Sequence, residues 1–393
     1  MSRKLAAALA LLIAVALLPI PTLANPITML DFTAMETTDN TTDHWRWDKD
    51  SKTLTLNGVD LAAQLRLPGG ATIVVNGTNS ISVSHQNDPS EDPTNFVVSC
   101  SQGTVTITGP GTLNITYGTG QDLNVDNGTR KDLWIGHLVL GMEGQPGPKV
   151  NLTQNMFESM AITGNVDVHS GTLNIKALSR AGGGILGDVA VTGGSLNIEA
   201  MNGGIVGSLY ITGGSVRAMV TNNATGDDVD EYVGIAFKGT LNVHGGVVWL
   251  TSHAPGGNYG DRFAPAILEE ELSTDLTVKG STVYNDQTPT QPVTWKTRGT
   301  PVATDPGNAN NPTPGGPGQS DLYPFIGDTP AQTVRISAGD DSGSQSGIII
   351  YVPTDDTPNT TTGNPTTGAN DFVSTATAAA LMALLGAAAL LRK

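Results

Sequence analysis

The sequence predicts an all-β chain folded as a right-handed parallel β-helix, a β-solenoid, and three observations carry that reading. One phrase is written four times between 165 and 252: Asn165-Val-Asp-Val-His-Ser-Gly-Thr-Leu-Asn-Ile, Asp188-Val-Ala-Val-Thr-Gly-Gly-Ser-Leu-Asn-Ile, Ser208-Leu-Tyr-Ile-Thr-Gly-Gly-Ser-Val-Arg-Ala and Thr240-Leu-Asn-Val-His-Gly-Gly-Val-Val-Trp-Leu. Aligned on Gly171, Gly194, Gly214 and Gly246, the copies step by 23, 20 and 32 residues, a period that tolerates one insertion, as stacked repeats do. Each phrase reads as two short alternating strands about a glycine turn. Gly183-Gly184-Ile185 and Gly203-Gly204-Ile205 supply a third strand ahead of the second and third copies. Right-handedness follows from the preference of parallel crossovers for that hand.

The repeat has to stack. In Ser-Leu-Asn-Ile the leucine and isoleucine share one strand face and the asparagine takes the other. One coil cannot bury that pair alone. Successive coils can, placing Leu173, Leu196, Val216 and Val248 over one another at about 4.8 Å, with a return of about 25 cal/mol per Å² of apolar area buried. The glycine pairs permit the sharp corners between strands.

From the N-terminus, Arg3 and Lys4 precede an apolar run from Leu5 to Leu18, then Pro19, Pro21 and a cleavage site after Ala24. This is the pattern of a secretory signal peptide over 1–24. The remainder holds one cysteine, Cys100, which excludes a disulfide scaffold. Formal charge is −16, and without the leader and the last 26 residues it is −19, 16 basic against 35 acidic. That sign disfavours nucleic acid as a partner.

A β-helix domain with an N-terminal cap is expected over 25–298. Trp45-Arg-Trp-Asp leads into Lys52-Thr-Leu-Thr-Leu-Asn-Gly, then Ala71-Thr-Ile-Val-Val-Asn-Gly and Gly103-Thr-Val-Thr-Ile-Thr-Gly-Pro-Gly-Thr-Leu-Asn-Ile. The indoles of Trp45 and Trp47 share one strand face and suit the cap. Such a cap is needed because an open coil end exposes core and unpaired strand edge. Further strands are read at 133–140 and 149–153. Excursions at 221–238 and 253–271 lie outside the coils, where functional loops collect.

This order of motifs, Trp-x-Trp-Asp, Thr-Leu-Thr-Leu-Asn-Gly and repeated Val-Thr-Ile-Thr-Gly-x-Gly-Thr-Leu-Asn-Ile, resembles cell-surface β-helix proteins of Gram-positive bacteria, over about 41–283. The resemblance implies a right-handed β-helix and an adhesin-like or carbohydrate-binding role.

Beyond the coils, 299–320 is a Pro-, Gly- and Asn-rich linker. A small β segment is expected at 321–353, with 334–337 pairing to 347–352. A polar, threonine-rich tether follows at 354–363. The tail 364–393 carries Asn364-Pro365-Thr366-Thr367-Gly368, an apolar segment at 372–391 and terminal Arg392-Lys393. It is similar to a sortase sorting signal of the Asn-Pro-x-Thr-Gly type. That resemblance implies cleavage between Thr367 and Gly368, transfer to peptidoglycan and covalent anchoring to the cell wall, with 372–391 as the apolar sorting helix. A glycosylphosphatidylinositol anchor and a plain single-span membrane anchor are the alternatives.

Two sets of residues are candidates for function. Asn174, Asn197, Arg217 and Trp249 occupy the outward position of successive coils, with Tyr210 on the preceding strand. Amide, guanidinium and aromatic groups at regular spacing on a flat sheet suit a polysaccharide or host-matrix glycan. Asp227, Asp228, Asp230 and Glu231, in the 221–238 excursion, are candidate Ca²⁺ ligands.

Catalysis is the competing reading, because hydrolases and lyases of polysaccharides share the β-helix fold. Glycoside hydrolysis needs an acid and a base flanking the scissile bond. Here Asp227-Asp228 falls in an excursion, His169 and His244 lack flanking motif residues, and Arg335-Ile-Ser lies beyond the linker. A non-catalytic surface protein is the expectation, with a lyase or hydrolase and a ligand-free stalk as alternatives.

Overall fold

A computed structural model describes residues 28–83, 96–118, 132–156, 159–177, 179, 182–201, 203–221, 235–252, 267–272, 276–297, 322–327 and 329–338. The described residues form thirty strands and no helix, grouped in one sheet of nineteen strands and one of eleven. The leader, residues 222–234 of the acidic excursion, the linker, the tether and the sorting tail lie outside them; 235–238, expected in that excursion, instead belong to the strand Ile235–Val243 and pair with Gly203–Val206.

The eleven-stranded sheet carries the central repeat. Asp60–Leu61, Thr78–Val83, Thr112–Tyr117, Lys149–Gln154, Thr172–Ala177, Ser195–Ala200, Ser215–Val220 and Val247–Ser252 lie side by side in that order, and every pair among them is parallel. Register is strict: Leu173 pairs with Leu196, Leu196 with Val216, and Val216 with Val248. A one-residue slip would turn this whole apolar column outward, so burial fixes the register. All four side chains are at most 1% exposed.

Each repeat also contributes to the larger sheet, in two short runs. Met160–Thr163, Gly183–Leu186 and Gly203–Val206 pair in parallel as one run. Val166–Val168, Val189–Val191 and Leu209–Ile211 pair as the other. The strands expected from the Gly-Gly-Ile elements are therefore formed. Between the runs the chain turns at Gly164, Gly187 and Gly207, whose φ values of 141°, 151° and 146° lie where L side chains rarely go.

Side chains lock these corners. Asn165 Oδ1 accepts from the Asp188 amide at 3.1 Å, and Asp188 Oδ1 from the Ser208 amide at 2.8 Å. His169 shares a 2.8 Å hydrogen bond with Thr192 Oγ1 one repeat further on, which gives it a turn role. Asn79 is fully buried at a register position where the next coil has Leu113. It is tolerated because Oδ1 accepts from the Gly58 and Val59 amides and Nδ2 donates to the Asn76 carbonyl, leaving no uncompensated polar group.

Near the N-terminus, Trp45–Asp48 pairs antiparallel with both Thr38–Asn40 and Thr53–Asn57. Trp45 and Trp47 do share one face. They are 5% and 1% exposed and pack on Phe32, the Trp45 contact being edge-on.

The far end departs from expectation. The partner expected for Thr333–Ala338 at 347–352 lies outside the described residues. Thr333–Ala338 pairs antiparallel with Val247–Ser252, the last parallel strand, and on its other side with Leu276–Ser281. Ile336 stands on Val248 and Val334 on Leu250, all four fully buried. The reason is the apolar face of Val247–Ser252, which would otherwise meet water.

Candidate functional site

The outward face of the eleven-stranded sheet brings four of the five candidate glycan-binding residues into one column. Asn114, Asn151, Asn174, Asn197, Arg217 and Trp249 are consecutive register partners. All are partly exposed. The column ends in two cations, since Trp249 pairs with Arg335 and Arg335 with Lys279.

Its first half is a ladder of amides. Asn151 Nδ2 donates to Asn114 Oδ1 at 2.7 Å, Asn174 Nδ2 to Asn151 Oδ1 at 2.8 Å, and Asn197 Nδ2 to Asn174 Oδ1 at 2.9 Å. Parallel in-register stacking repeats the same geometry on every rung, so each amide meets its neighbour donor to acceptor. Each still keeps a second N–H and a second oxygen lone pair.

Its second half is aromatic and cationic. Arg217 donates to Asn285 Oδ1 at 2.6 Å, so the 282–289 segment lies against this face. Burial lowers the Arg217 pKa, against the raising effects of Tyr284 and Glu199. Burial first, and Glu199 second, push the Tyr284 phenol up to about 12, with Arg217 pulling the other way. The Arg335 guanidinium lies 5.8 Å from the centre of a Trp249 ring, within cation–π range. From Ser80 to Lys279 the column contains no carboxylate; Glu199 lies two positions along the strand from Asn197, on the same face.

Tyr210 is not part of this column. It belongs to the larger sheet, in register with Ala190 and Asn242, and its ring lies 5.4 Å from that of His244. The same outer face holds a contact that sequence reasoning missed. His137 Nε2 is 3.0 Å from Asp167 Oδ2, and its Nδ1 is 3.2 Å from Thr104 Oγ1.

The remaining candidates lie outside the described residues: Asp227, Asp228, Asp230 and Glu231, the sorting motif Asn364 to Gly368, and the cleavage residue Ala24. Among the described residues no group of three or more His, Cys, Asp or Glu side chains is placed to hold a metal ion. Asn114 and Asn151 were readable, since each sits between the core positions of a recognised strand. Arg335 and Lys279 were not, because only the antiparallel return of Thr333–Ala338 brings them to this column.

Comparison with protein-family models, curated proteins and solved structures found no match.

Proposed function

We propose that this chain is a secreted, wall-anchored surface protein whose right-handed parallel β-helix binds polysaccharide without cleaving it. The observation that supports this reading best is the continuous outward column from Asn114 to Trp249. Its rungs repeat at about 4.8 Å, and they offer amide donors and acceptors beside an indole, the groups that sugars hydrogen-bond to and stack on. In this reading 28–57 caps the N-terminal coil, 299–320 and 354–363 form a flexible stalk, and 372–391 is the apolar helix of the sorting signal. Sortase would cleave after Thr367 and join the chain to peptidoglycan, and Asp227, Asp228, Asp230 and Glu231 would hold Ca²⁺.

The test puts the protein on a panel of pectic, cellulosic, mucin and host-matrix glycans, with calcium and with chelator, recording retention and released fragments together. Retention without fragments is expected. Fragments that disappear with chelator would replace binding by catalysis and move the site to the acidic excursion.

A second reading, a stalk with no ligand of its own, has support in the same column. The asparagine amides bond to one another and Arg217 bonds to Asn285, so these groups also serve the fold. Absence of retention on every glycan would favour it.

A further inference from the structure

We infer that the end of this column formed by Trp249, Arg335 and Lys279 is a subsite for an anionic sugar unit, the carboxylate or sulfate of an acidic polysaccharide. This assignment rests on the glycan-binding reading above and narrows its ligand. Arg335 stands directly opposite Lys279 across an antiparallel pair and directly opposite Trp249 across the next. Like charges in directly opposed positions repel at Cβ separations of about 5 Å. An anion held between them turns that repulsion into two attractions.

The surroundings suit an anion. At the neighbouring same-face positions Lys279 and Arg335 are flanked on one side by the partly exposed hydroxyls of Thr277 and Ser337, while Ser281 and Thr333 on the other side are buried, Thr333 donating to the Val283 carbonyl at 2.9 Å. The nearby Asp286 carboxylate is already engaged, held below its usual pKa first by the Ser281 hydroxyl and then by the Thr288 amide, which donates at 2.9 Å. Glu199 lies outside the column, two positions along the strand from Asn197, and acts on Tyr284 and Arg217.

Each member has a distinct part. A guanidinium offers a planar fork that matches carboxylate or sulfate oxygens, while an ammonium adds a compact charge. Trp249 supplies an apolar face for the sugar ring beside its acid group. The formal charge of −16 opposes long-range approach of a polyanion. Screening limits that field to about 8 Å at physiological ionic strength, so contact at the column decides.

The experiment measures binding of the full chain to four polymers: polygalacturonate, fully methyl-esterified galacturonan, dextran sulfate and dextran. Single-stranded DNA is added as a non-sugar polyanion. Binding to polygalacturonate or dextran sulfate at least about tenfold tighter than to the neutral partner is expected, and the charge reversal Lys279→Glu should remove that margin. Preference for one anionic polymer over the other tells carboxylate from sulfate. Trp249→Ala should weaken the anionic sugars but not DNA. Thermal melting of each variant checks that the fold persists, and Lys279→Gln, which adds no new charge, serves if Lys279→Glu unfolds.

Equal binding of charged and neutral polymers would overturn the anionic subsite while leaving glycan binding in place. No binding to any polymer would remove both. DNA binding as tight as the acidic sugars would reduce the subsite to an unspecific polyanion patch.

Discussion

Trp249 and Arg335 are register partners across an antiparallel strand pair, with the guanidinium carbon 5.8 Å from the centre of the indole ring. The two residues come from segments separated by more than eighty positions, and their contact marks where the chain returns to cover the last parallel strand. Coverage rather than the cation–π contact carries the energy there. The core-facing neighbours, Ile336 on Val248 and Val334 on Leu250, are fully buried, whereas Arg335 and Trp249 are partly exposed. Ile336→Ala should therefore cost about 2–4 kcal/mol. Arg335→Ala should cost about 0.5–1 kcal/mol. Urea denaturation of the two variants checks this order, and equal small losses would mean that Thr333–Ala338 does not cover the edge of Val247–Ser252.

The asparagine ladder predicts a distinction between two substitutions at one position. Asn174 donates to Asn151 Oδ1 and accepts from Asn197 Nδ2. Alanine removes both bonds at a partly exposed site, a loss of about 1 kcal/mol. Aspartate keeps the acceptor but sets a carboxylate against the Asn151 oxygen with no proton between them, so Asn174→Asp should be the worse variant at neutral pH. Protonation of the new carboxyl restores a donor. Melting temperature against pH should show Asn174→Asp regaining stability below about pH 4, relative to Asn174→Ala. A flat difference would mean that the ladder bonds do not form.

The coils were legible because their physics is local. Leu173 and Ile175 alternate with Asn174 inside six residues, the apolar pair needs an identical neighbour, and the next copies supply Leu196 and Ile198. From that alone the strands, their parallel register and the outward asparagines could be read. What escaped depends on contacts between distant segments. Nothing near Thr333 announces that it pairs with Thr251, because its alternating pattern suits any apolar sheet edge. His137 and Asp167 are thirty residues apart and meet only through parallel pairing of distant strands. Tyr210 is readable as an outward residue of the preceding strand, but the membership of this strand in the other sheet is not.

Tyr284 gives the fold an alkaline limit. Burial, with Glu199 adding to it, raises the phenol from 10.0 to about 12 in the folded chain. A raised folded value means that the native state holds its proton where the unfolded state has begun to lose it, so stability falls as pH rises. The contribution is whole below pH 10.0 and is lost progressively as pH rises towards about 12. Thermal melting between pH 9 and 12 should show a steeper decline for the native chain than for Tyr284→Phe, which cannot ionise. Parallel slopes would place Tyr284 in water rather than against Arg217.

The glycines at the inter-run corner should be the least replaceable residues of the repeat, and the comparison of Gly207 with Gly58 isolates why. Both have positive φ, 146° and 80°. A Cβ on Gly58 would meet nothing within 4 Å, so Gly58→Ala bears only the left-handed backbone cost, about 1–2 kcal/mol. A Cβ on Gly207 would instead strike the Gly187 carbonyl oxygen, with the Gly187 carbonyl carbon at 2.6 Å. That neighbour is backbone of the preceding repeat, itself fixed by the Gly187 amide donating to the Val206 carbonyl at 2.9 Å. It cannot step aside without opening the parallel register, so backbone strain and collision add. Gly207→Ala should cost well above 3 kcal/mol and Gly207→Val should prevent folding, while Gly58→Ala yields a folded protein. Soluble yield and urea midpoints of these variants decide it: similar losses at Gly207 and Gly58 would mean that successive repeats do not approach at this corner.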